Sequence, residues 1–210
     1  AYGLDNGQHK KILVYDLGGG TFDPALIQHC SEEYKILGHR SGIECGGKYF
    51  DAALYKHFNS SKTIEYSDDD NMRMLQVDAL SKMCRDIKET LSENDSVSYP
   101  IPILKGQTFD ITRSEFEDLI SPLLEKTFQE CQALIHSAGK QWSDINRILL
   151  IGGSCAIPCV KRLFEQYLVG QNVQVPIIQN KSEEGIFIDA LFAVSLGGII
   201  YIRDKETQNV

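Results

Sequence analysis

Residues 16–23 read Asp-Leu-Gly-Gly-Gly-Thr-Phe-Asp and follow a short apolar run, Ile12-Leu13-Val14-Tyr15. This pattern predicts a strand that ends at Asp16, a glycine turn, and a second strand that begins at Thr21. Glycines at such a turn let backbone N–H groups converge on an anion, because no side chain stands in the way. Carboxylates on both sides, from Asp16 and Asp23, suit a phosphate held together with magnesium, which prefers one or two carboxylates plus water. The sequence therefore predicts a phosphate site at Gly18, Gly19, Gly20 and Thr21.

The alternative explanation of this turn is a tight hairpin with no ligand, because such a hairpin also needs glycine. Three glycines, an acid on each side and a threonine on the exit strand favour the phosphate site. The turn is not a P-loop, which requires Gly-Lys-Ser/Thr before a helix. It is not a dinucleotide fingerprint either, because no helical pattern follows Gly20.

A second glycine turn, Gly152-Gly153-Ser154, follows the apolar run Ile148-Leu149-Leu150-Ile151, and a helix is predicted after Pro158 to about Leu168. A strand, a glycine turn and a helix N-terminus favour binding of an anion or a nucleoside. Taken alone, a tight strand-to-helix connection explains the turn equally well. Two such turns facing each other across a cleft would hold phosphates at one turn and the nucleoside at the other.

Two predicted helices add further candidates. Gly46-Gly47 precede an amphipathic helix predicted over residues 48–58, so an anion could meet free N–H groups at its start. On a second helix, predicted over residues 71–94, a spacing of three and four residues places a polar set on one side. That set is Arg85, Lys88, Glu89 and Ser92. A solvated face with an Arg85–Glu89 ion pair would explain the same spacing. The apolar side of this helix is predicted at Met74, Val77, Leu80, Cys84, Ile87 and Leu91.

The remaining pattern predicts strands and one long helix. An antiparallel meander is expected over residues 11–16, 21–28 and 34–40, in which Pro24 favours an edge or a bulge. A hairpin is expected from strands 97–103 and 108–111, with Lys105-Gly106 as its turn. Thr112-Arg113-Ser114-Glu115 is a capping box that opens a helix to about His136, which Gly139 ends.

These motifs resemble the seventy-kilodalton heat-shock chaperone (DnaK) family. The similar segments are Ala1–Asp5, Asp16–Asp23, Gly46–Asp51, Lys88–Ser92 and Ile151–Pro158, in that order, within a resemblance over roughly residues 1–200. The resemblance implies the α/β fold of actin, sugar kinases and heat-shock ATPases, which is ribonuclease H-like. It implies one lobe of that fold, with a mixed sheet, flanking helices and a smaller α+β subdomain. Residues 1–45 and 108–210 would form the core subdomain and residues 46–107 an inserted smaller one.

The resemblance also implies a function. The chain would be a fragment of a divergent molecular chaperone, the second lobe of a domain that binds and hydrolyses ATP and gates peptide binding elsewhere in the protein. The first lobe would precede Ala1 and the peptide-binding domain would follow Val210, so the isolated chain is expected to have no meaningful turnover. ATP or ADP and magnesium would be the cofactors. Co-chaperones, nucleotide exchange factors and unfolded client peptides would be the partners, in the cytoplasm.

Site residues follow from the same resemblance. The catalytic residues would be Asp16, Thr21 and Asp23, and the magnesium ligands Asp16 and Asp23. The nucleotide-binding residues would be Gly18, Gly19, Gly20, Thr21, Gly46, Gly47, Arg85, Lys88, Glu89, Ser92, Gly152, Gly153, Ser154 and Ala156.

Several positions depart from the family pattern. Arg85 stands where the family usually has a glutamate, and Glu89 where some members have an arginine. Ala156 replaces an arginine that stacks on adenine, and residues 180–184 read Asn-Lys-Ser-Glu-Glu where Asn-Pro-Asp-Glu is common. The phosphate end thus matches while the adenosine end departs. The first favours an ATPase lobe, and the second favours a non-hydrolysing interaction module or an exchange-factor-like relative. A sugar kinase is a distant third, because no sugar-recognition pattern is evident.

Composition and charge argue against several further classes of function. A net charge of −8 over 210 residues argues against sequence-independent binding of nucleic acid or an anionic membrane, which needs a basic face. No apolar run approaches the roughly 18 residues of a membrane span. The six cysteines form no Cys-x-x-Cys pair and the five histidines are scattered, so a zinc site is not expected and reduced thiols are. Cys155, beside the second glycine turn, is the one candidate for a reactive thiol.

Overall fold

The computed structural model describes residues 10–30, 33–61, 64–101, 107–170 and 173–179. Its strands are β1 (Lys10–Leu17), β2 (Phe22–Cys30), β3 (Glu33–His39), β4 (Ser96–Ile101), β5 (Gln107–Thr112), β6 (Arg147–Ile151) and β7 (Ile177–Gln179). Its α-helices are α1 (Gly47–Ser61), α2 (Asp70–Glu93), α3 (Arg113–Ser137) and α4 (Pro158–Gly170). The predictions for residues 1–5, for the turn at Lys105-Gly106 and for residues 180–184 lie outside the described residues.

A mixed five-stranded sheet in the order β3-β2-β1-β6-β7 forms the centre of the described fold. β1 pairs antiparallel with β2 and parallel with β6, and Asp16 lies opposite Ile151 in the parallel register. Because parallel strands end at the same edge of a sheet, the glycine turns that follow β1 and β6 lie side by side. The sheet itself therefore brings the two predicted glycine turns together.

The antiparallel meander of β1, β2 and β3 is confirmed, and Pro24, expected at an edge or a bulge, is not at an edge. Pro24 lies in β2, between β1 and β3, and is paired with Tyr15. The ladder between β2 and β3 begins only at Ala25, and the register shift falls at Leu26/Ile27. Pro24 is tolerated because it lies just past the β3 ladder, where its carbonyl accepts the backbone N–H of Arg40 at 2.9 Å.

Helices α3 and α4 cover the sheet around the buried Tyr15. The Tyr15 hydroxyl lies 2.5 Å from Thr127 Oγ1 on α3, and its ring lies 5.1 Å from the Phe164 ring on α4. The predicted capping box opens α3: the Glu115 backbone N–H donates to Thr112 Oγ1, and Glu115 Oε2 accepts the Thr112 backbone N–H. None of the described helices is long and apolar enough to cross a membrane.

A smaller unit contains α1, α2 and the two-stranded sheet of β4 and β5. Phe50, Leu54 and Phe58 are buried on one face of α1, as the sequence predicts, and Phe58 packs edge-on against Phe109 of β5 at 4.7 Å. The division of the chain at residues 45/46 and 107/108 stays a prediction. The pairing of β5 with β4 places residues 107–112 with the smaller unit.

The first half of α2 differs from the predicted apolar face. Leu80, Cys84, Ile87 and Leu91 are buried as expected, but Met74 is 68% exposed and Val77 is 36% exposed. Gln76 is buried there instead, where its side chain accepts the Ser67 backbone N–H and donates to the Glu65 carbonyl. The polar side chain takes the inward position because a loop backbone, rather than an apolar surface, faces this half of the helix.

Candidate functional site

A cleft of about 510 Å³ lies between the glycine turns and α2. Nine of the sequence-predicted residues line it: Gly19, Gly47, Arg85, Lys88, Glu89, Ser92, Gly153, Ser154 and Ala156. Lys48, Asp51, Glu93 and Ile157 also line it and were missed by sequence reasoning. The structure thus assembles one cleft from segments separated by more than a hundred residues.

The two glycine turns contact each other directly. Within the first turn, the Gly18 N–H donates to the Thr21 carbonyl at 3.0 Å and closes the hairpin. The Ser154 hydroxyl of the second turn donates to the Gly18 carbonyl at 2.8 Å. Residues 153–156 form a short 3₁₀-helix, and α4 begins at Pro158, where the sequence predicts the helix. The second turn therefore supports the first through the Ser154 side chain.

Gly46 and Gly152 are required for close packing of backbone on backbone. Gly46 has φ +142°, and a Cβ there would lie 2.5 Å from the Gly18 carbonyl oxygen. Gly152 has φ +87°, and a Cβ there would overlap the Leu17 carbonyl and lie 2.9 Å from Asp16 Oδ1. Neither residue lines the cleft, so the structure assigns both glycines to shaping the turns.

The start of α1 does not offer the free N–H groups that the sequence suggests. The Gly47 N–H donates to the Gly18 carbonyl at 3.1 Å, and the Lys48 N–H donates to the Gly19 carbonyl at 2.7 Å. The next two, from Tyr49 and Phe50, both donate to the Gly46 carbonyl. An anion therefore cannot meet four free donors at this helix N-terminus. Gly47 lines the cleft, but its amide holds the first glycine turn.

The predicted catalytic residues lie on the hairpin that carries the first turn. Asp16 and Asp23 are opposite each other in the antiparallel register. Asp23 Oδ2 accepts the Thr21 hydroxyl at 2.7 Å, and Asp23 Oδ1 accepts the Gly42 N–H at 2.6 Å. Asp23 thus fixes the side chain of Thr21 and an adjacent loop. None of the three lines the cleft, so they stand behind the first turn rather than along its open face.

The surroundings of the Asp16 carboxyl disfavour its ionised form. Burial, and then the negative charge of Asp23, raise the pKa of the Asp16 carboxyl above its ordinary value. A cation beside the two carboxylates would offset both effects. No cluster of three or more His, Cys, Asp or Glu side chains suited to a metal is found among the described residues. The donor set therefore fits a hydrated magnesium ion shared with phosphate oxygens better than a cage built from protein alone.

Lys88 on α2 is held by the smaller unit. Its Nζ lies 2.7 Å from Asp51 Oδ1 on α1 and donates to the Gly47 carbonyl at 3.3 Å. Both side chains of the ion pair are mostly buried, at 13% and 18% exposure. Ser92, one turn later, donates its hydroxyl to the Lys88 carbonyl at 3.3 Å. The polar side of α2 is therefore partly committed to holding α1 and the glycine turn in place.

At the other end of the cleft, Arg85, Glu89 and Ala156 are exposed. The Arg85–Glu89 ion pair that the spacing allowed is not formed in this part of the structure. Ala156 presents only a methyl group, next to the buried Ile157. This end therefore offers charges of both signs but no guanidinium from position 156.

Cys155, the candidate reactive thiol, is inert in this environment. It is buried below the second turn, and its Sγ donates to the Ile151 carbonyl at 2.9 Å. Burial raises its pKa to about 12, so the thiolate that would react is disfavoured near neutral pH. Cys45, Cys84, Cys131 and Cys159 are also free thiols.

The four cleft residues that sequence reasoning missed differ in how far the sequence could have indicated them. Glu93 follows Glu89 by four residues on the same helix side, so periodicity could have found it. Ile157 is next to Ala156, and Lys48 directly follows the Gly46-Gly47 pair. Asp51 ends the matching segment Gly46–Asp51, but its contact with Lys88, 37 residues later along the chain, has no local sequence signal.

Comparison with known proteins agrees with this architecture. The family model described as Hsp70 protein matches residues 1–181. A "Chaperone protein HscA homolog" of Tolumonas auensis is 31% identical over 94% of this chain and 33% of its own length. That of Shewanella woodyi is 29% identical over 94% of this chain and 34% of its own. The "Chaperone protein HscA" of Buchnera aphidicola is 31% identical over 93% of this chain and 37% of its own length. The chain thus spans about a third of the length of these relatives. It belongs to the Hsp70 family.

Proposed function

We propose that this chain is the second lobe of a nucleotide-binding domain in an Hsp70-type chaperone, and that its cleft binds ATP or ADP. The observation that carries the proposal is the single cleft lined by Gly19, by Gly153 and Ser154, and by the polar side of α2. Phosphates bind at the first glycine turn, whose backbone is held by Gly47, Lys48 and Ser154. The nucleoside lies between α2 and Ala156.

The hairpin behind the first turn serves the reaction with phosphate. Phosphoryl transfer depends largely on positioning and on neutralising charge. A magnesium ion, when bound, would neutralise negative charge on the phosphate. Asp16 and Asp23 are the residues that would hold it, and Asp23 also keeps the Thr21 hydroxyl oriented through a 2.7 Å hydrogen bond. Thr21 then orients the attacking water.

On α2, Lys88 and Ser92 face the ribose, and Arg85 and Glu89 lie near the base. The ion pair of Lys88 with Asp51 connects this side of the nucleotide to α1. In the whole protein, hydrolysis gates binding of unfolded client peptides in another domain. Co-chaperones and nucleotide exchange factors act on this cycle, and the protein works in the cytoplasm.

A second candidate function is a non-hydrolysing interaction module, in which bound nucleotide, or its absence, only sets the shape of the lobe and its affinity for partners. The exposed base end favours it, because Ala156 supplies no cation and Glu89 is an acid near the proposed position of the base. The retained Asp16, Thr21 and Asp23 favour hydrolysis. The two functions differ in turnover, and only the ATPase requires nucleotide to bind.

Asp16→Asn in the intact protein tests the proposal. The amide keeps the shape of the side chain but loses the charge that holds the hydrated metal. We expect hydrolysis to slow by about a hundredfold, while ATP affinity changes much less. Single-turnover hydrolysis and calorimetry on the same preparations measure both quantities.

Asp118→Asn is the matched control, because Asp118 is exposed on α3 and outside the cleft. It should leave both quantities at the wild-type value. Normal hydrolysis by Asp16→Asn would contradict the role of this carboxylate. A wild-type protein that binds ATP without turnover would favour the interaction module, and one that binds no nucleotide would refute the nucleotide-binding function.

A further inference from the structure

Lys48 belongs to the matching segment Gly46–Asp51 but is not one of the predicted site residues, and it lies against the first glycine turn. A Cβ placed on Gly20 would be 3.7 Å from Cδ, Cε and Nζ of Lys48, so the side chain extends along this glycine. Lys48 lines the same cleft as Gly19. Its ammonium group is therefore located at the phosphate end of the cleft, on the lobe that carries the glycine turn itself.

The backbone fixes the base of this side chain. The Lys48 N–H donates to the Gly19 carbonyl at 2.7 Å, and the preceding Gly47 N–H donates to the Gly18 carbonyl. These bonds join the first turn of α1 to the glycine turn. Lys48 therefore cannot move away from the turn without breaking backbone hydrogen bonds, and only its side-chain torsions adjust.

The two lysines of the cleft differ in how their charge is used. Lys88 is mostly buried and paired with Asp51. Lys48 is exposed, and no carboxylate within the described ranges forms an ion pair with it; its Nζ lies 4.9 Å from the centre of the Tyr49 ring. Of the two, Lys48 is the one whose charge is available to an anion in the cleft.

Local helix physics does not explain a lysine at this position. The N-terminus of a helix carries partial positive charge, so a cation in the first turn is unfavourable and an acid is preferred. The first turn of α1 contains Lys48 and no acidic residue. A phosphate group bound between the glycine turn and Lys48 would compensate both positive charges, and lysine binds phosphate as a point charge.

We propose that Lys48 is a phosphate-binding residue of the nucleotide cleft. This inference rests on the proposed function, since it assigns a further residue to the same site. It implies that the second lobe contributes a positive charge of its own to the nucleotide phosphates.

The test uses Lys48→Gln, Lys48→Arg and Lys56→Gln in the intact protein, with calorimetry against ATP, ADP and adenosine. Lys56 is exposed on the same helix but does not line the cleft, so Lys56→Gln makes the same charge change elsewhere. We expect Lys48→Gln to weaken ATP and ADP about tenfold, which corresponds to about 1.4 kcal/mol. Adenosine affinity should not change. Lys48→Arg should keep most of the affinity, and Lys56→Gln all of it.

Thermal unfolding gives a second readout, because Lys48→Gln removes an unfavourable charge from the helix N-terminus and should not lower the melting temperature. If Lys48→Gln binds ATP like Lys56→Gln, or weakens adenosine as much as ATP, the inference is overturned and the proposed function stands. If the wild-type protein binds no ATP, both are overturned.

Discussion

The two ends of the cleft are built differently. At the first glycine turn, backbone packs against backbone: Gly46 approaches the Gly18 carbonyl, and Gly152 approaches the Leu17 carbonyl. At the base end, the lining comes from exposed side chains such as Arg85, Glu89 and Ala156. Steric contacts restrict substitutions at the glycine turns. We expect the exposed positions at the base end to tolerate substitutions without loss of the fold. The departures from the family pattern at Arg85, Glu89 and Ala156 lie at the end that is less restricted by packing.

The largest expected effect breaks the close-packed end. Gly152→Ala places a Cβ against the Leu17 carbonyl at a φ of +87°, a backbone conformation that residues with side chains rarely adopt. We expect a loss of about 3 kcal/mol in the free energy of unfolding. Urea unfolding measures it. Gly19→Ala is the matched control, because nothing lies within 4 Å of its added methyl group, and it should cost far less. Equal losses would contradict the steric explanation.

An intermediate effect is expected from restoring a cation at the base end. Ala156→Arg should strengthen ATP binding by about 0.5–2 kcal/mol, the contribution of a guanidinium stacked on a ring. The wild-type protein should discriminate poorly between ATP and GTP, because contacts with phosphates do not distinguish the bases. Calorimetry with both nucleotides measures both effects.

Ala133→Arg serves as the control for this substitution, since Ala133 is exposed on α3 and does not line the cleft. It should leave both affinities unchanged. A wild-type protein that already prefers ATP strongly and gains nothing from Ala156→Arg would show that another residue holds the base. Arg85 would then be the first candidate.

The smallest effect concerns the electrostatics behind the first turn. Because burial and Asp23 raise the pKa of Asp16, its ionised form costs stability at neutral pH. The contribution of Asp16 is most favourable below its unfolded pKa and is lost as the pH rises through the folded value. Asp16→Asn should therefore raise the free energy of unfolding at pH 7 by roughly 0.5 kcal/mol, or about 1–2 °C.

The advantage of Asp16→Asn should disappear when the pH is low enough to protonate Asp16 in both states. Thermal unfolding at pH 7 and at low pH measures the difference in melting temperature between Asp16→Asn and the wild type, with Asp118→Asn as the control. A destabilised Asp16→Asn at pH 7 would mean that the carboxylate has a favourable partner in the free protein.

The parts of this structure that the sequence predicted are those set by short-range rules. The glycine turn after β1, the capping box at Thr112 and the buried face of α1 each depend on residues a few positions apart. The two glycine turns were expected to face each other across a cleft; they line one cleft, but they contact each other directly. Contacts between distant segments were not predictable. The Lys88–Asp51 ion pair, the hydrogen bonds that occupy the start of α1, and the exposure of Met74 all depend on which elements become neighbours.

The parallel register between β1 and β6 has a consequence for folding fidelity. Leu13, Tyr15 and Leu17 are fully buried, whereas Asp16 between them is not, so side chains alternate along β1. A slip of one residue in β6 relative to β1 would turn the core face of β6 outward. A slip that moved Ile151 into the position of Gly152 would also bring the Cβ of Ile151 into a clash with the Leu17 carbonyl. Errors in pairing these strands are therefore penalised twice, in the core and at the cleft, so a misregistered chain cannot keep an intact binding site.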